Sequence, residues 1–107
     1  MVRQELSLYQ SRKRELETNL KILEQQRQQR QQDLREARAR KEQVQRSYNI
    51  VLKEWKLTKP LVAEGAASEV EVLRLERQVN ELRGELENAR LSIPRVESTY
   101  REAKQKS

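Results

Sequence analysis

One pattern constrains this chain more than any other. Starting at Leu6, alternating steps of three and four residues visit Tyr9, Lys13, Leu16, Leu20, Leu23, Arg27, Arg30, Leu34, Ala37, Lys41, Val44, Tyr48, Val51 and Trp55. Eleven of those fifteen positions are apolar or Tyr, in a chain that is 35% hydrophobic. A 3-4 repeat sustained this far lies on one narrow stripe of an α-helix, the seam of a left-handed coiled coil. No Pro or Gly interrupts residues 1–58. An unbroken helix there is about 85 Å long at 1.5 Å per residue, which suits a spacer better than a rounded domain.

The same rule works again later in the chain. It visits Val72, Leu75, Val79, Leu82, Leu86, Ala89, Ile93, Val96, Tyr100 and Ala103, and every one is apolar or Tyr. Val70 and Leu73 widen this second stripe at its start. Gly84 lies off the seam and costs about 1 kcal/mol against Ala in a helix. Pro94 removes a hydrogen bond and clashes with the preceding turn, so a kink or a break is expected near it.

Between the two runs, Lys59–Ser68 holds one of the two prolines and one of the two glycines. Gly65 suits the left-handed position just past a helix end. Ser68 followed by Glu71 reads as a capping box, with the serine oxygen accepting from the backbone and the glutamate reaching back. One helix is therefore expected to stop near Glu64 and the next to start at Ser68. A link this short makes the neighbours antiparallel. The fold expected is all-α: a long antiparallel coiled-coil hairpin with a first arm over 3–58, a tip at 59–68 and a second arm over 68–105. One pairing serves both stripes. It sets Val72 against Trp55, Leu75 against Val51 or Leu52, Val79 against Tyr48, Leu82 against Val44, Leu86 against Lys41, Ile93 against Leu34 and Tyr100 against Arg27, the last as a cation–π pair. Residues 1 to about 22 have no partner in this pairing, although Leu6, Tyr9, Leu16 and Leu20 continue the seam. They are expected to meet another helix of a larger protein or a second copy of this chain.

Composition agrees with a seam rather than a core. The chain is 37% charged, with no Phe and four aromatic residues. Disorder competes for a chain this polar, but sustained heptads are the stronger signal. With no Cys and no His, zinc sites, disulfides, thiol nucleophiles and imidazole acid–base chemistry are excluded. No catalytic residue, metal ligand or cofactor is expected. No run approaches the roughly 20 apolar residues of a membrane span. The net charge of +6 is uneven: residues 1–58 hold 14 Lys/Arg against 8 Asp/Glu, whereas the rest balances. The Gln/Arg run at 25–32 is the place where nucleic acid would bind. Its arginines are spread around the helix among acids, with no aromatic platform, so nucleic acid is not the expected partner.

The tip and second arm resemble the α-hairpin of haemolysin-D-type periplasmic adaptors, the membrane fusion proteins of Gram-negative type I secretion systems. The resemblance rests on Leu61-Val62-Ala63-Glu64-Gly65-Ala66-Ala67-Ser68 and on Val70 through Leu82, and it covers about residues 55–97. In that family the tip carries an Arg–Leu–Ser signature and meets the helical end of a TolC-like outer-membrane channel. Ser68 takes the Ser position and Leu61 the Leu position. The Arg position falls on Leu57, a departure from the pattern, with Lys56 and Lys59 close by.

The resemblance implies a spacer arm in the periplasm, part of an inner-membrane-anchored adaptor of which this chain is a piece. Its partners would be the channel at the tip, an inner-membrane ABC exporter through the rest of the protein, and further copies side by side in a ring. A multidrug efflux adaptor shares such a tip. A generic coiled-coil scaffold is the alternative that needs no resemblance, and on that reading Ser68 is only a cap and Leu61 only closes the hairpin.

Overall fold

The computed structural model describes residues 2–107. Helix α1 spans Val2–Thr58, a short 3-10 turn spans Lys59–Val62, and helix α2 spans Glu69–Lys106. The helices lie side by side as a rod of 95 × 17 × 14 Å. The expected helical hairpin is the fold.

The Gln/Arg run does not interrupt α1. Gln and Arg are good helix formers, and side chains one turn apart hold one another. Gln29 donates to Asp33 at 3.0 Å, Gln32 to Glu36 at 3.4 Å, and Gln45 to Asn49 at 3.0 Å. Arg30, a seam position by spacing, turns out to solvent and pairs with Asp33 at 3.4 Å. Arg27 is half-buried and lines a shallow cleft with Leu20, Glu24 and Ser107.

Apolar contact is concentrated in one line. Leu34 and Val44 of α1 and Leu75, Val79, Leu86 and Ala89 of α2 are the buried residues. Tyr48, Val51, Trp55, Val72, Leu82, Ile93, Val96, Tyr100 and Ala103 are half-buried. No described side chain is fully buried, as two helices alone cannot enclose one from every side. Val70 and Leu73 point away from the seam and are exposed.

α2 is continuous through Pro94, so of the kink or break expected there, the break does not occur. Proline interior to a helix costs about 3 kcal/mol. Contacts on both sides of it hold the helix in place. Ile93 and Val96 stay against the seam, and Glu97 pairs with Arg38 across the arms at 3.2 Å. Ser92 Oγ also donates to the Ala89 carbonyl at 2.9 Å.

The contacts between the arms differ from the expected pairing. Tyr48 meets Arg83, one turn beyond Val79, and the guanidinium carbon is 6.0 Å from the ring centroid. Arg38 reaches Glu97, and Arg90 reaches Gln45 at 3.1 Å. Arg27 lies near Ser107 instead of forming a cation–π pair with Tyr100. All of these partners lie further from the tip on α2 than expected, by about one to two turns. A 3-4 stripe remains apolar-facing after a shift of half a heptad, so the stripes alone do not choose a register. The geometry of the tip chooses it.

α1 is covered only from Leu23 onward; the described part of the predicted overhang, residues 2–22, is exposed throughout. Met1, also placed in that stretch by the sequence, lies outside the described residues.

Leu86 is 4% exposed, so Leu86→Ala should destabilise the hairpin by about 2–4 kcal/mol. A Cβ added at Gly84 meets nothing within 4 Å. Gly84→Ala should therefore stabilise it by about 1 kcal/mol. Urea unfolding followed by circular dichroism measures both changes.

Candidate functional site

The only chain reversal among the described residues is a capped turn. After the 3-10 turn, Gly65 takes φ +76, the left-handed conformation that only glycine adopts cheaply. The Gly65 N–H donates to the Val62 carbonyl at 3.1 Å, and the Ala66 N–H to the Leu61 carbonyl at 2.9 Å. These paired bonds form a Schellman motif, which satisfies carbonyls left open at a helix end. Pro60 fits the first turn of the 3-10 segment, where its missing N–H costs nothing.

Ser68 opens α2 from an extended backbone, and its Oγ accepts from the Glu71 N–H at 3.1 Å. This is the serine half of the capping box. No bond from the Glu71 carboxylate back to the Ser68 N–H forms among the described residues, so Glu71 remains free at the surface. Glu69 and Glu71 still favour this helix end, where the macrodipole is positive.

The turn leaves apolar side chains uncovered. Leu57 is 63% exposed, Leu61 37%, Leu73 58% and Val70 76%. Between them, Val62, Val72 and Leu73 with the stems of Lys59 and Glu69 line a shallow, mainly apolar cleft. A second shallow cleft on α1 brings Leu57 beside Lys56, Lys53, Leu52 and Asn49. The sequence counted Val70 and Leu73 as widening the seam. Their off-seam positions instead carry them outward, onto the same end of the rod as Leu61.

The two lysines near the position that departs from the tip signature are differently placed. Lys59 folds back over Trp55, its Nζ 4.8 Å from the ring centroid. An exposed pair of this kind is worth about 0.5–1 kcal/mol. It holds Lys59 against its own chain, above an indole whose Nε1 is buried without a hydrogen-bond partner. Lys56 lies next to Leu57, and it is the cation presented beside the tip's outer apolar residues.

Chemically, this site can bind but offers no enclosed reaction chamber. It consists of small apolar projections on a rigid reversal, edged by Lys56, Glu64, Glu69 and Glu71. Among the described residues no group of His, Cys, Asp or Glu is placed to hold a metal ion, and no helix is long and apolar enough to cross a membrane.

Removing the cap separates its two possible roles. Ser68→Ala should cost about 1 kcal/mol of stability, while Ser68→Asp, which can cap in the same way, should cost little. Thermal unfolding of the two variants against wild type measures the difference.

Compared with known families, the chain matches the model described as AprE, long alpha-helical hairpin, over residues 1–107. No curated protein and no solved structure matches it.

Proposed function

We propose a function from one premise: the chain belongs to the AprE long α-helical hairpin family. It is the hairpin of a type I secretion adaptor, a membrane fusion protein and not an enzyme. Its place is the periplasm, as the rigid arm of a protein anchored in the inner membrane and engaged there with an ABC exporter.

The arm spans distance, and its tip docks onto the helical end of a TolC-like outer-membrane channel. Further copies stand side by side around the path of the exported polypeptide. The observation that carries this reading is the end of the 95 Å rod. There a reversal fixed by Gly65 and Ser68 leaves Leu57, Leu61, Val70 and Leu73 uncovered. Apolar anchors on a rigid support bind a helical groove at little entropic cost.

On this reading Leu61 is the central anchor. Leu57, where the family signature has Arg, adds apolar area in place of a charge, and Lys56 supplies the nearby cation. Ser68 caps α2 and presents its hydroxyl at the same end. Lys59 and Gly65 set the shape of the turn.

The test is recovery of a TolC-like channel by the full-length adaptor, wild type against Leu61→Asp. A carboxylate forced into an apolar contact should lower recovery at least tenfold, about 1.4 kcal/mol, with the helical circular-dichroism signal unchanged. Equal recovery by the two proteins would remove docking from the tip and bring the generic scaffold forward.

A further inference from the structure

Ile50 and Gly84 have no role in holding the hairpin together. Ile50 is 62% exposed on α1. Gly84 weakens its helix relative to Ala, yet nothing lies within 4 Å of the place a Cβ would occupy. Its own chain does not need the missing side chain. Both residues point away from the seam. Arg46, Ile50 and Lys53 follow the seam positions Val44, Tyr48 and Val51 by two residues, about 200° round the helix. Asn80, Gly84 and Glu87 precede Leu82, Leu86 and Ala89 by the same step. All six are exposed, three on each of the two opposite edges of the rod.

The two edges also match in height and in charge. Contacts across the seam put Gln45 near Arg90 and Tyr48 near Arg83. At those levels Arg46 stands at the height of Glu87, Ile50 at that of Gly84, and Lys53 at that of Asn80. Residues 40–58 hold five Lys/Arg against two Asp/Glu, and residues 69–87 hold six Asp/Glu against three Lys/Arg. Between two copies whose tips point the same way, α1 against α1 sets basic face on basic face. α2 against α2 sets acidic on acidic. α1 against α2 brings unlike charges together and avoids the cost of like ones.

We infer that the outer face of α1 packs against the outer face of α2 in a second copy whose tip points the same way, with Ile50 seated over Gly84. Level tips bring the matching heights together without offset. Ile50 is stiff at χ1, and a position with no Cβ lets the facing helix come close. Arg46 meets Glu87 on one side of this contact, and the Lys53 ammonium donates to the Asn80 amide oxygen on the other. The contact joins two different surfaces, so it repeats from copy to copy and closes a ring where the rotation permits. It rests on the side-by-side arrangement of the proposed function and names the surface that makes it. It lies behind the tip and leaves Leu61 free.

The test uses the whole chain, which has no cysteine of its own. Lys53→Cys and Asn80→Cys variants are oxidised separately and as a mixture. The mixture should give about tenfold more cross-linked dimer than either variant alone, or better. Adding Gly84→Leu to both variants should bring the mixture down to the level of the single variants. Leu is a better helix former than Gly, so the helical circular-dichroism signal should hold while the cross-link is lost. No excess in the mixture overturns the inference. An excess that survives Gly84→Leu overturns the seating of Ile50 over Gly84. No channel enters this measurement, so its result is separate from that of docking at the tip.

Discussion

The apolar seam between α1 and α2 is the interaction on which everything else rests. It is one line of side chains, with Leu75, Val79, Leu86 and Ala89 of α2 against Leu34 and Val44 of α1 as its most covered points. No described residue is fully enclosed. Stability must therefore accumulate along the length of the seam, since the rod has no depth to draw on. This explains why both helices are long, why so polar a chain can fold, and why a proline inside α2 is tolerated. Each turn is held by its neighbour across the seam, so one lost backbone bond does not separate the helices. Charges add little to this. One ion pair, Arg38 with Glu97, joins the arms among the described residues, and both partners are substantially exposed.

The tip follows from the need to reverse such a rod within a few residues. Helix ends leave backbone groups without partners. Gly65 and Ser68 supply those partners on the two sides of the turn. A reversal satisfied by its own backbone and one serine needs no apolar plug, so Leu57, Leu61, Val70 and Leu73 are left over at the surface. The backbone bonds and the serine cap of the turn hold these side chains in place at the end of the rod. The Lys59–Trp55 stack belongs to the same economy: it shields the indole face at the point where the seam runs out of partners.

The two ends of the rod differ in kind. At the tip the chain covers its own backbone and presents isolated apolar side chains. At the other end the residues of α1 before Leu23 are exposed.

The sequence by itself determined that this chain is a helical hairpin. Two runs of 3-4 spacing, a first arm free of Pro and Gly, and a Pro60–Gly65–Ser68 turn admit no other arrangement of so little apolar material. The register was not legible: a 3-4 stripe is satisfied at every half-heptad shift, and only the Schellman turn at Gly65, seen with Tyr48 on Arg83 and Arg38 on Glu97, selects among the shifts. Nor could the sequence choose between a break at Pro94 and a helix that continues through it, since proline's local cost is visible in sequence whereas the packing that offsets it is not. The side chains left outward at the tip were half legible. Leu61 stood out by position, but Val70 and Leu73 read as seam until the tertiary structure turned them away, because which face of a helix is covered depends on where its partner lies.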